Sequence, residues 1–489
     1  MTRFIHRTHR LPNFLSWAPA CVLLLFLFPR LGSAQIDSLS LEEYYQLIRA
    51  NHPVAQQAEL IPREAAARIR LARGSFDPKL VADADQKMFE GSNYYRHIDG
   101  GLKVMTLPGI EVKAGYEQSI GERLNPEAYT PTEGLVYAGI SVPLGQGLII
   151  DERRAALRQA KIFRESTTAQ QMSLLNELIF DATKAYWEWS EAFAALQVQN
   201  RAVEVAEVRY NATVQDFKFG DKPAVDTLEA LIQLQNRQQS QLSANLAENQ
   251  TRLKVSNYLW NQAGQALVVD ASLYPQRITL APNLDGEVLD SALVWLEGLT
   301  DNHPELQLLR FKLAELEVER RLKADKLKPK IYAQYNVLNR PLLVGENPAQ
   351  VYPNVFENNY KWGLQFSFPL FLRQERGNLE VTRLKIQDTQ FKQDQKRLEL
   401  NNKVLNYLAE LEILTDQISL ARVNVINYQR LLEAEVANFQ AGESSLFLIN
   451  SRETKLIESQ LKLVELQTKY RKASASIAWS AGVLGGEGL

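Results

Sequence analysis

The chain has 489 residues, 45% of them hydrophobic, with 55 basic and 57 acidic residues for a formal net charge of −2. It is too apolar for an extended disordered protein, and it has no basic excess to hold nucleic acid. A single cysteine and five histidines leave little room for disulfide, thiol or metal-cluster chemistry.

The first 34 residues stand apart. Arg3, Arg7 and Arg10 precede an apolar run from Cys21 to Phe28, and Gly32-Ser33-Ala34 follows with small side chains. This is the pattern of a secretory signal peptide cleaved after Ala34. Cys21 lies before the end of the apolar run, so no lipid anchor is expected. Cleavage removes four Arg and the only Cys, leaving 51 basic and 57 acidic residues, and 51 − 57 gives −6. After residue 34 no apolar run reaches the roughly 18 residues of a membrane-spanning helix. The mature protein is therefore expected to be exported, and either soluble beyond the inner membrane or embedded as a β-barrel.

The mature chain carries one unit twice. Asn51-His52-Pro53 recurs as Asn302-His303-Pro304, an offset of 251, and Pro78-Lys79 recurs as Pro329-Lys330 at the same offset. Pro143-Leu144 matches Pro369-Leu370 at 226, and Phe217-Lys218-Phe219-Gly220 matches Phe439-Gln440-Ala441-Gly442 at 222. The offset falls between the second and third landmarks, as expected if the first copy carries more loop there. The units are assigned to 35–285 and 286–489, each with a helix, a strand pair and a long helical hairpin.

In each unit a helix opens at the Asn-His-Pro, with Pro in its first turn, and stops before the next Pro. Strands follow. In the first unit these are "GIEVKAGYEQS" and "GLVYAGISVPL", the latter with Val136, Ala138, Ile140, Val142 and Leu144 on one face. In the second they are "PKIYAQYNVLN" and "YKWGLQFSFPL", which puts Tyr360, Trp362, Leu364, Phe366 and Phe368 on one face. An isolated strand pair is too small a sheet to be stable, so partners from other subunits are expected.

Long heptads come next. Leu175, Ala182, Trp189, Leu196, Val203, Tyr210 and Phe217 step by seven, with Leu178, Ala185, Ala192, Gln199, Ala206 and Thr213 as companions. The second unit repeats the register 222 positions later, from Val404 through Leu411, Ile418, Val425 and Leu432 to Phe439. Heptads of this length imply coiled-coil packing, and a helix from about residue 148 to 217 spans about 100 Å. Gly220 and Gly442 end these helices. Return helices are expected at 225–262 and 446–484, making two hairpins with tips at 217–226 and 439–448.

Nothing in the sequence calls for catalysis or a cofactor. There is no His/Cys cluster, no phosphate-binding Gly-rich loop and no Gly-x-Ser-x-Gly elbow. His52 and His303 are copies of each other at helix starts, which points to a shared structural role.

The ordered set of two Asn-His-Pro helix starts, the strand ends "VPLG" and "FPLF", and the tips "FKFGDKPAVDTLEA" and "FQAGESSLFLINSRE" resembles the TolC-like outer-membrane efflux protein family over nearly the whole mature chain. The resemblance implies a mainly α fold with a small β part. It also implies a homotrimer in which each chain gives four strands to one twelve-stranded outer-membrane β-barrel in contact with lipid, continued by a periplasmic α-helical tunnel. An equatorial region would come from 263–300 and the C-terminal end. Such a protein passively conducts cargo from a periplasmic adaptor and an inner-membrane pump to the exterior of a Gram-negative cell. It is not an enzyme and has no nucleic-acid partner. The lipid-facing strand would carry Tyr360, Trp362, Leu364, Phe366 and Phe368. Acidic gate residues stand six and nine positions after the tip Gly of the second hairpin in the family; here those positions are Leu448 and Ser451. The same spacing after Gly220 gives Asp226 and Glu229. The gate candidates are therefore Asp226 and Glu229, or the apolar run Leu446, Phe447, Leu448 and Ile449. The contrasting possibility is a periplasmic coiled-coil scaffold or adaptor without a barrel.

Overall fold

The computed structural model of the protein describes residues 38–277, 302–341 and 358–486. The expected leader, 1–34, lies outside them. In chain order the elements are β1 (Ser38–Leu39), α1 (Leu41–Asn51), α2 (Pro53–Gly74), β2 (Lys79–Phe89), β3 (Ser92–Met105), β4 (Glu111–Ile120), β5 (Leu135–Pro143), α3 (Glu152–Phe219), α4 (Ala224–Ser256), β6 (Tyr274–Pro275), α5 (Pro304–Asp325), β7 (Lys330–Asn339), β8 (Tyr360–Ser367), α6 (Arg373–Gln440) and α7 (Leu446–Ser480).

The duplicated Asn-His-Pro has a physical explanation. His52 is the N-cap of α2, and its Nδ1 accepts from the Val54 amide at 3.1 Å. His303 caps α5 in the same way, accepting from the Glu305 amide at 3.2 Å. Pro53 and Pro304 take first-turn positions, where the missing N–H costs nothing. The first triplet lies at a helix–helix junction, because α1 precedes it. Ser40 starts α1 with a capping box in which Ser40 Oγ accepts from the Glu43 amide and the Glu43 carboxylate accepts from the Ser40 amide.

The long helices α3 and α6 have 68 residues each, about 100 Å of helix. Asp151 caps α3 through the Arg154 amide at 2.8 Å. Gly220 closes α3 with φ +86° and Gly442 follows α6 with φ +82°, a region that suits a residue without Cβ. The return helices α4 and α7 are shorter than expected. α4 stops at Ser256, where the hydroxyl turns to accept from the Val269 amide at 3.0 Å. α7 stops at Ser480, just before Gly482 at φ +77°.

The heptads hold. Ala182, Trp189 and Ala185 are fully buried in α3, and Val404, Ile418 and Leu414 are buried in α6. The main core lies around the middle of α3. Tyr44, Ile48, Ile179, Tyr186, Trp189 and Val255 meet there with Leu259, Val269 and Leu484. Burying each large side chain of this kind stabilises by roughly 2 kcal/mol. The core thus gathers the segment after α4 and the C-terminal end, as expected of an equatorial region; 278–301 falls outside the described residues. A second seam joins α6 and α7 through Leu414, Ile418, Leu466 and Tyr470.

The strands differ from expectation. One antiparallel sheet has the order β2-β3-β4-β5-β7-β8. Among the described residues each chain therefore offers six strands to this sheet, not four. The four expected segments are β4, β5, β7 and β8, and β5 pairs with β7 to join the two halves. The addition is the hairpin β2–β3. Its turn, Glu90-Gly91, has φ of +52° and +76°, both positive as a tight two-residue hairpin requires. The fall in repeat offset after Lys79 is therefore occupied by strands and not by extra loop.

Candidate functional site

Register fixes the two faces of the sheet, because residues directly opposite share a side. One row runs Leu102, Ala114, Ala138, Val337 and Tyr360 through the pairings Leu102↔Ala114, Ala114↔Ala138, Ala138↔Val337 and Val337↔Tyr360. Leu80 extends this row onto β2, and the neighbouring rows add Ile98 at one end of the sheet and Trp362, Leu364 and Phe366 at the other. Over these rows the face is apolar across all six strands, and toward the β2–β3 turn it ends in Gln86, Arg96 and Gln118. It is also open, with Leu80 84% and Trp362 67% exposed. Tyr360, Trp362, Leu364 and Phe366, singled out from the sequence, all belong to it; Phe368 lies one residue beyond β8.

The opposite face is polar. It carries Asp83, Asp99, Glu117, Lys103, Gln334 and Lys361. Tyr137 lies across this face above Gly115 and Gly101 and donates to Asp99 Oδ1 at 2.9 Å. A Cβ on Gly115 would fall 2.6 Å from the Tyr137 oxygen, so the close approach depends on glycine.

The sheet is tied to the helices at the start of α3. Arg154 donates to the carbonyls of Pro108 at 3.2 Å, Leu148 at 3.0 Å and Gly147. Its guanidinium also pairs with Asp151 at 3.4 Å. Asp325, buried at the end of α5, accepts from the Gly147 amide at 2.6 Å, and Lys326 pairs with Glu152 at 2.7 Å. One guanidinium therefore holds the β3–β4 turn and the start of α3 together.

At the far end, Gly220 and Gly442 turn the hairpins. Asp226 sits in the first turn of α4, near the positive end of the helix dipole. Glu229 accepts from Asn450 Nδ2 at 3.3 Å. The apolar run divides: Leu446 and Ile449 are buried at 5% and 3%, while Phe447 is 67% exposed and Leu448 and Ser451 are also exposed. Within one chain, Leu446 and Ile449 therefore pack into the hairpin.

A polar network just above the tips joins the two hairpins, and nothing in the sequence announced it. Arg209 of α3 donates to Glu453 of α7 at 2.5 Å and to Asn450 Oδ1 at 3.1 Å. Arg237 of α4 donates to Thr454 Oγ1 at 2.7 Å. Burial pushes the Arg237 guanidinium below its ordinary range, against the pull of nearby Glu453, and Arg209 pushes it further the same way. The members lie more than 200 residues apart in the chain, so no local pattern marks them. Among the described residues, no group of three or more His, Cys, Asp or Glu is arranged to hold a metal, and no helix is long and apolar enough to cross a membrane.

Among curated proteins, none matches the chain in sequence. Solved structures do match in fold. The outer membrane protein VceC of Vibrio cholerae superposes with a TM-score of 0.64 at 14% identity, over 90% of this chain and 96% of that one. The outer membrane channel CmeC of Campylobacter jejuni gives 0.62 at 12% identity, over 91% and 85%. The open state of the outer membrane channel MtrE of Neisseria gonorrhoeae gives 0.60 at 13%, over 90% and 88%. Residues 295–483 match the family described as outer membrane efflux protein. Residues 295–483 thus match the outer membrane efflux protein family, and the chain as a whole shares the fold of outer membrane channels.

Proposed function

We propose that the protein is the passive exit duct of a tripartite efflux or type I secretion system. It sits as a homotrimer in the outer membrane of a Gram-negative cell, and a periplasmic adaptor and an inner-membrane pump load it. The carrying observation is the sheet, whose one face has apolar rows over all six strands while the other is polar. That alternation suits a wall between lipid and a watery lumen. Trp362, Leu364 and Phe366 face lipid in this arrangement. A periplasmic scaffold would have no use for so open an apolar face.

The long hairpins continue the wall as a tunnel, and the tips form its periplasmic end. Asp226 and Glu229 then supply an acidic ring when three copies converge, which favours cations. The test is single-channel conductance of purified protein in planar bilayers, wild type against Asp226→Asn/Glu229→Gln. Conductance with reduced cation preference in the variant supports both the duct and the acidic gate. Conductance with unchanged preference keeps the duct and moves the gate to Phe447 and Leu448. A protein that stays soluble without detergent and never conducts refutes the duct.

A further inference from the structure

We propose that neighbouring copies join through β2 of one chain and β8 of the next, so that three copies close a barrel of eighteen strands. This rests on the exit-duct function proposed above. It departs from the twelve strands that four per chain would give.

The edges carry the inference. In a lipid-embedded sheet every backbone N–H and C=O must be paired, so a barrel closes only where strand edges are free to meet. β4 cannot be such an edge. β3 occupies its side from Arg96↔Ile120 to Met105↔Glu111, the whole length of the strand. β5 and β7 are flanked on both sides. Among the described residues the free edges are those of β2, with 11 residues, and β8, with 8. These lengths are close to the roughly 9–11 residues of a membrane-crossing strand. Neither strand contains Pro, so each offers every backbone donor along its edge.

Direction and chemistry agree. All five pairings in the sheet are antiparallel, so β2 and β8, its first and sixth strands, run in opposite senses. A head-to-tail ring thus sets β8 antiparallel to the next β2. The hairpin also has the right faces for a wall. Leu80, Ala82 and Ala84 share the side of Ile98 and Leu102, while Asp83 and Asp85 share the side of Asp99 and His97. The apolar face therefore runs from β8 across the chain to β2 and continues onto the next copy. A segment folded into the lumen or lying outside the barrel would not need this continuity. Barrel diameter grows roughly linearly with strand number, so eighteen strands give a barrel about 1.5-fold wider than twelve.

The mature chain is free of cysteine once residues 1–34 are removed, which suits disulfide mapping. Ala82→Cys or Ala84→Cys is combined with Trp362→Cys, Leu364→Cys or Phe366→Cys, and the membrane-embedded protein is oxidised to completion. The reference set joins Val112→Cys or Ala114→Cys on β4 to the same β8 positions. The expected result is a covalent trimer from at least one β2–β8 pair and from no β4–β8 pair. Links from β4 to β8 without links from β2 overturn the proposal and restore twelve strands, leaving the duct intact. A β2–β8 ladder that ends at the dimer overturns the count. Absence of all links overturns the edge pairing, and the duct then stands only if the wild type conducts as a trimer. Electron microscopy of the wild type in lipid discs needs no variant: a barrel about 1.5-fold wider than a twelve-stranded one is expected, and one of twelve-stranded width refutes the proposal.

Discussion

Replacing Glu453 by Gln should loosen the hairpin tips far more than removing the whole ion pair does. Glu453 is 4% exposed and accepts from Arg209 at 2.5 Å, while Arg237 adds a second buried cation beside it. In Glu453→Gln the shape persists but the carboxylate beside both guanidinium groups is lost. Breaking a buried pair from one side costs about 3–5 kcal/mol, and the partly exposed Arg209 side chain places the effect near the lower end. A loss of about 3 kcal/mol raises local opening roughly a hundredfold. Hydrogen exchange of the amides in 205–235 and 446–456 reads this directly. Arg209→Met/Glu453→Leu removes the Arg209–Glu453 pair whole, Arg237 keeping its bond to Thr454 Oγ1, and should exchange within about tenfold of wild type. If the double variant exchanges as fast as Glu453→Gln, or if Glu453→Gln changes exchange less than threefold, the pair does not hold the hairpins together.

Three further outcomes follow from the geometry. Burial holds His303 at about 4, with Lys396 and Lys403 pushing the same way and Glu305 opposing, against about 6.5 in an unfolded chain, so the fold keeps it neutral. Stability is then full above about pH 6.5 and falls by about 3 kcal/mol as pH drops to 4; His303→Asn, which keeps a capping acceptor, should flatten that part of the melting-temperature profile. Arg154→Met strands three carbonyls, those of Pro108 in the β3–β4 turn and Gly147 and Leu148 before α3, and should cost about 2–3 kcal/mol, measured as the temperature at which the folded protein loses detergent resistance, with Arg154→Lys recovering little because one ammonium cannot reach all three. Gly115→Val should drive Tyr137 off Asp99 and lower the folded yield in membranes, whereas Ala114→Val on the opposite, open face should not.

The helices were legible because their signal is long and redundant. Seven heptad positions from Leu175 to Phe217, six of them copied 222 positions later, leave no competing period. The aromatic alternation of β8 was legible for the same reason. The hairpin β2–β3 was not. Its apolar side interrupts Leu80, Ile98 and Leu102 with the weak strand formers Ala82, Ala84 and Gly100, and its turn is Glu-Gly instead of the stronger Asn-Gly. Barrel strands carry a weak signal per segment, and the shrinking repeat offset showed only that something was inserted. The Arg209–Glu453–Arg237 network was invisible because its parts become neighbours only after both hairpins have formed and packed. The histidine caps were half visible: duplication pointed to a structural role, but only the fold showed the ring nitrogen accepting from the second amide of each helix.

The equal length of α3 and α6 has a mechanical consequence. Each is a lever of 68 residues, fixed near its sheet end and free of Pro throughout. Over about 100 Å of stiff helix, a swing of about 3° at the Arg154–Asp325 junction carries the tip about 5 Å sideways. A hydrogen bond made or broken beside the sheet is thus geared up to a displacement as large as a side chain at the other end of the molecule. Because the two levers match, both hairpins travel through the same arc for the same turn of their base.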